Sequence, residues 1–130
     1  MEIVVSQADA RVPVTVLSVH GQINADTAPQ LQAEAEKAIK AGARHLLLDL
    51  TDAPYISSAG MRVLAYLMVL LRKWSDENKD TGKRAPETSR HSPYLKLLNA
   101  SPDVLRALTM VGFDLFLDIH SDYQAALRAF

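Results

Sequence analysis

One segment constrains the fold more than any other: Leu46-Leu47-Leu48, an unbroken apolar run ending in Asp49-Leu50. It stands between two stretches of helical periodicity. Upstream, Leu31, Ala35, Ala38 and Ile39 recur at helical spacing, and Gly42 is placed to stop that helix. Downstream, Ser58 to about Asn78 is helical in pattern, with Leu64, Leu67, Leu71 and Trp74 on one face and Met61, Met68 and Leu70 widening it. A short apolar run between helices reads as a strand buried on both faces. That is the signature of a parallel sheet with helical crossovers.

The remaining segments extend this alternation. Ile3-Val4-Val5 and Val14 to Val19 are strand-like, and the polar stretch Ala8 to Arg11 between them predicts an antiparallel pair. Asn24-Ala25-Asp26-Thr27 supplies helix-cap chemistry, with Pro29 in a first turn. Thr51 to Pro54 reads as a turn. Tyr94 to Leu98 is a strand, and Ser101-Pro102-Asp103 opens a helix carrying Val104, Leu105, Leu108 and Val111, closed by Gly112. Leu115 to Ile119 is predicted as the last strand. Ser121-Asp122 then caps a terminal helix with Tyr123, Ala126, Leu127 and Phe130 on one stripe. The order is ββαβαβαβα, an α/β fold with a mostly parallel mixed sheet.

A chain of 130 residues suits one domain, residues 1–130. Residues 75–92 contain no large apolar side chain and read as a flexible surface insertion. With 14 Lys+Arg against 15 Asp+Glu, the net charge of -1 gives no reason to expect nucleic acid or an anionic membrane as partner. The absence of cysteine excludes disulfides, zinc-thiolate sites and thiol nucleophiles. The longest apolar-rich stretch, Val63 to Leu71, falls well short of the about 20 residues a transmembrane helix needs. Met1 to Val5 does not resemble a signal peptide. The expectation is a soluble cytoplasmic domain, with no membrane insertion of its own.

Catalytic equipment is not visible. His20, His45, His91 and His120 lack metal-ligand spacing, so no metal is expected. The glycines build neither a nucleotide loop nor a nucleophile elbow, so no cofactor is expected. Asp49, at the end of a buried strand, invites comparison with a phospho-accepting aspartate. It lacks the companion acids such a site needs, and a capping or loop role is favoured. No enzyme is predicted.

In parallel α/β sheets, function sits where the carboxyl ends of strands lead into helices. That brings forward Gly21 to Thr27, Asp49 to Gly60, and Asn99 to Asp103. The most informative stretch is Tyr55-Ile56-Ser57-Ser58-Ala59-Gly60-Met61, which joins the buried strand to the longest helix. One serine suffices for an N-cap, and here there are two. Ala59 and Gly60 are expected to keep the first turn bare, so that another protein's backbone could approach.

These residues carry a family resemblance. The stretch LLDLTDAPYISSAGMRVL, Leu47 to Leu64, resembles the signature of STAS domains and, more narrowly, of bacterial anti-sigma factor antagonists. Gly21 to Ala28 is similar to the family's G-E-L-D-x-x-T/S-A, and Leu98 to Pro102, through Leu108 to Gly112-Phe113, to its last strand-helix unit. The resemblance covers nearly the whole chain outside 75–92.

It implies a partner switch without catalysis of its own. The unphosphorylated domain would bind an anti-sigma factor that is also a serine kinase. That kinase would phosphorylate a serine at the start of the second helix, and a metal-dependent serine phosphatase would reverse the step. By position the acceptor is Ser58, with Ser57 the alternative. The partner-binding surface would comprise Asn24, Asp26, Thr27, Ser57, Ser58, Ala59, Gly60 and Met61. Asn24 and Ser57 stand where many members have aspartate, and Ala59 where many have serine or threonine. The alternative role is a non-switching STAS subunit of a stress-signalling scaffold or lipid-transport complex. The long second helix, roughly 31 Å against about 17 Å for a five-residue strand, is expected to overhang the sheet near Leu71 and Trp74. That end is either covered by the insertion or offers a contact for a homodimer.

Overall fold

The computed structural model describes residues 1–77 and 91–130, the side chains of Asp76 and Glu77 excepted. Five strands, β1 (Glu2–Asp9), β2 (Pro13–His20), β3 (Leu46–Asp52), β4 (Leu95–Leu98) and β5 (Ile119–His120), form one sheet in the order β1-β2-β3-β4-β5. β1 runs antiparallel to β2; all other neighbours are parallel. The helices are α1 (Ala28–Lys40), α2 (Ser58–Glu77), α3 (Pro102–Met110) and α4 (Tyr123–Arg128).

Because β2 to β5 advance in one direction, right-handed crossovers put α1, α2 and α3 on the same face. The side chains agree: Leu31, Leu64, Leu67 and Leu108 share one core with Leu17, Leu46, Leu48 and Leu50. Leu47 faces the other way, with Val14, Val16 and Leu98, under Ala126 and Leu127 of α4. Leu46 to Leu48 are fully buried, as a strand covered on both faces requires.

Local signals act where expected. At the end of α1, Gly42 (φ 116°) lets its N–H reach Ile39 O (3.0 Å) and Ala43 N–H reach Ala38 O (3.0 Å), a Schellman closure. Ser101 Oγ accepts from Val104 N–H (3.2 Å), and an Asp122 carboxylate oxygen from Ala125 N–H (2.9 Å), so both residues cap helices.

Four expectations need correction here. Leu115–Ile119 is not a strand: Phe113–Leu115 forms a 3-10 turn after Gly112 (φ 83°), and β5 is only Ile119–His120. Phe113 O accepts from Phe116 and Leu117 N–H, which curls the backbone away from the sheet, and of β4 only Leu97 and Leu98 pair with β5. Leu105 and Val111 of the predicted apolar stripe are exposed, whereas Val104 and Leu108 are buried. The overhang of α2 does not begin at Leu71, which is fully buried, and Ser75 is buried as well. Arg44 lays its guanidinium 5.0 Å from the Trp74 ring centre while donating to Ile39 O (2.9 Å) and Ala43 O (2.8 Å), so the α1–β3 connection covers that end. Residues 75–77 of the expected insertion belong to α2; residues 78–90 lie outside the described residues.

Candidate functional site at the start of the second helix

The site forms where β2 and β3 deliver their loops side by side. Ile23 and Ile56 make an isolated parallel bridge. Ile23 N–H donates to Tyr55 O (2.9 Å), and Ser57 N–H donates to Ile23 O (2.8 Å). Gly21 N–H donates to Asp52 O (3.0 Å), and His20 Nδ1 lies 2.9 Å from Asp52 Oδ2. These bonds join the loop leading into α1 to the loop leading into α2.

The two serines divide the work. Ser57 Oγ accepts from Gly60 N–H (3.3 Å), and Ser57 O accepts from Met61 N–H (3.0 Å). Ser57 is therefore the N-cap. Ser58 is the first helical residue and is exposed, as is Asp26; Ser57, Ala59 and Met61 are half-buried. The N–H groups of Ser58 and Ala59 have no carbonyl within the helix to bind, and they form the positive end of its dipole. The first turn of α2 carries no acidic residue.

Gly60 departs from its expected role. It is buried, and a Cβ there would stand 2.6 Å from Ile23 Cγ2 and 2.7 Å from Ile56 Cγ1. The space left by the missing side chain is filled from inside, so Gly60 seats the helix start on the Ile23–Ile56 bridge instead of opening it to a partner.

Asn24 is occupied by its own loop. Its Oδ1 accepts from Asp26 N–H (2.9 Å) and Thr27 N–H (3.1 Å), while its backbone N–H donates to Thr27 Oγ1 (2.9 Å). The Thr27 hydroxyl donates to Gln22 O (2.7 Å). Thr27, the residue before α1, makes no side-chain cap bond, so the cap chemistry acts one turn earlier, as an Asx turn. Asn24 and Thr27 thus shape the loop, and Asp26 is the exposed charge on it.

Behind the site, Asp49 Oδ1 accepts from Thr51 N–H (3.0 Å) and Thr51 Oγ1 (2.5 Å); both residues lie within β3, so Asp49 is a strand residue and not the cap or loop residue expected. Asn99, in the left-handed region at φ 57°, donates from Nδ2 to Thr51 Oγ1 (3.0 Å). The third predicted segment is thereby tied to the carboxyl end of β3. Beside the site, Ala59, Arg62 and Tyr66 of α2 face Ala25, Pro29 and Gln32 across an open groove of about 520 Å³. Local desolvation, then the neighbouring Glu36 carboxylate, hold the Tyr66 hydroxyl above its ordinary pKa.

A cluster on the α4 side of the sheet had one sequence signal: Lys96 interrupts an apolar strand, and a charge buried there requires a counter-charge. The Lys96 side chain is 4% exposed, and its Nζ lies 2.6 Å from Asp118 Oδ2. His91 pairs with the other Asp118 oxygen. Burial alone would raise the Asp118 pKa; the hydrogen bond and charge of Lys96, then those of His91, outweigh it and hold the carboxyl below its usual range.

No helix among the described residues is long and apolar enough to cross a membrane. Among the described residues, no three His, Cys, Asp or Glu group as a metal site would need.

Known proteins share this fold. The "Putative anti-sigma factor antagonist BtrV" of Bordetella bronchiseptica is 29% identical over 115 residues, spanning 88% of this chain and 84% of its own. An anti-sigma factor antagonist from Mycobacterium paratuberculosis superposes with a TM-score of 0.68 at 21% identity, covering 98% of this chain and 93% of that one. The Bacillus cell fate determinant SpoIIAA, in its phosphorylated form, gives 0.64 at 16% identity, covering 99% and 100%. The STAS domain family matches residues 6–75, from β1 to the buried end of α2 and through the whole Ile23–Ile56 junction, and the chain belongs to that family.

Proposed function

We propose that this protein is an anti-sigma factor antagonist that works as a phosphorylation-controlled partner switch, with Ser58 as the acceptor. One observation carries the assignment: Ser57 caps α2, while Ser58 stands exposed beside it. The reading is further supported by the SpoIIAA structure, described as phosphorylated. The partner is an anti-sigma factor with serine kinase activity. A metal-dependent phosphatase resets the switch, and the setting is cytoplasmic.

A phosphate on Ser58 brings about -1.5 to -2 charges to a helix N-terminus. There it meets unsatisfied N–H groups and the positive end of the dipole. The helix therefore stays formed, and the switch acts by placing charge and bulk on the docking surface. At a formal net charge of -1, one such event more than doubles the protein's charge. Loss of α2 signals in an amide spectrum after phosphorylation would contradict this mechanism.

The deciding experiment is affinity capture with wild type, Ser58→Ala and Ser58→Asp. Wild type and Ser58→Ala are expected to recover the anti-sigma factor, and Ser58→Asp to lose it. A cognate kinase should label wild type and not Ser58→Ala; label retained in Ser58→Ala and lost in Ser57→Ala would move the acceptor to Ser57. Equal recovery of one assembly by all three proteins would favour a non-switching subunit of a scaffold or lipid-transport complex.

A further inference from the structure

β1 is the long edge strand of the sheet, with no strand beside it among the described residues, and its backbone phase can be read from its neighbours. Thr15 N–H donates across to His45 O (2.9 Å), so Thr15 and Leu17 turn their backbone groups toward β3. The alternating residues of β2, Val14, Val16 and Ser18, turn theirs toward β1. Their partners in an unbroken antiparallel register are Ala8, Ser6 and Val4. Ile3, Val5 and Gln7 therefore direct their N–H and C=O groups away from the sheet, along the open edge.

Edges of this length are usually guarded by lysine, proline or a bulge. β1, Glu-Ile-Val-Val-Ser-Gln-Ala-Asp, has none of these, and its only charges stand at its ends. Val4 and Val5, on opposite faces of the strand, are 46% and 43% exposed. We infer that the β1 edge pairs antiparallel with the β1 edge of a second copy of this chain, about a two-fold axis at Val5.

The backbone phase limits the register: outward-facing residues must meet outward-facing residues, so odd positions pair with odd. Two such registers pair most of the strand. One, centred on Ser6, sets Ile3 against Asp9. The other, centred on Val5, sets Val5 on Val5 and Ile3 on Gln7, and is chosen because it leaves no large apolar residue facing a carboxylate. Val4 then faces Ser6, and Glu2 faces Ala8. The pairing that would set Glu2 against Asp9 joins an even position to an odd one and is forbidden by the same rule. The self-match is thus free of like-charge contacts and adds main-chain bonds as β-strand addition does. It is independent of the switch at Ser58, which lies on the helix that follows β3.

Sedimentation equilibrium from micromolar to millimolar protein tests the pairing. The mass is expected to rise from 14.3 kDa toward twice that value. Val5→Lys sets two like charges face to face and should hold the protein at the single-chain mass, with an unchanged circular dichroism spectrum. Val69→Lys, at a 68% exposed position on α2, should still dimerise. A second readout uses the absence of cysteine. Val5→Cys is then the only thiol, placed across the axis at a Cα separation of about 5.5 Å, within disulfide reach. Mild oxidation should link Val5→Cys far faster than Val69→Cys. A single-chain mass throughout, a dimer undiminished by Val5→Lys, or equal linking of the two cysteine variants would each overturn the proposal.

Discussion

Gly60 lies so close to Ile23 that a Cβ on it would stand 2.6 Å from Ile23 Cγ2. This contact, with its counterpart at Ile56, fixes how α2 starts on the sheet and so where Ser58 is held. Gly60→Ala is expected to destabilise the fold by about 1–3 kcal/mol, the usual range for overpacking a filled core. Urea denaturation measures this, and a midpoint equal to wild type would contradict the close seating.

The two serines should separate in a stability measurement. Ser57→Ala leaves the Gly60 N–H without its side-chain acceptor and should cost about 1 kcal/mol, the typical value of an N-cap. Ser58→Ala removes an exposed hydroxyl and should stay within about 0.5 kcal/mol of wild type. Paired thermal melts check the contrast, and equal losses would mean that Ser57 is not the working cap.

Asn24 should tolerate a carboxylate better than a methyl group. Its Oδ1 accepts from Asp26 and Thr27 N–H, and an aspartate oxygen can do the same. Asn24→Ala is expected to cost about 0.5–2 kcal/mol, and Asn24→Asp much less. Hydrogen exchange at the Asp26 amide, which donates to Asn24 Oδ1, provides the local readout: fast in Asn24→Ala, protected in Asn24→Asp.

Lys96 and Asp118 predict an acid-sensitive contribution. The folded Asp118 carboxyl titrates below its unfolded value, so the unfolded chain binds the proton more readily. The stabilisation is complete above the unfolded pKa, about 4, and is lost as pH falls through the folded value. Asp118→Asn strands a buried ammonium and should cost about 3 kcal/mol or more. Lys96→Met, which removes the buried charge itself, should cost less. Denaturation curves at pH 7 and pH 3 test the sign: the gap between wild type and Asp118→Asn should narrow at the lower pH.

The sequence by itself determined the alternation of strands and helices, the burial of Leu46 to Leu48, and the stops at Gly42 and Gly112. These features rest on periodicity, caps and backbone conformation, which act over a few residues and leave a local imprint. The paired serines, too, were legible as a signal. Tertiary structure decided what each serine does, because the Ile23–Ile56 bridge sets the helix start that makes Ser57 the cap. It also turned Gly60 inward and hid the end of α2 beneath Arg44. The predicted strand at Leu115 became a 3-10 turn because Gly112 and the Phe113 carbonyl curl the chain away from β4, leaving only Ile119 and His120 to pair with it. Lys96 found its counter-charge 22 residues away at Asp118, across the β4–β5 pair. Such outcomes depend on which backbone arrives alongside which, and no window of neighbouring residues carries that information.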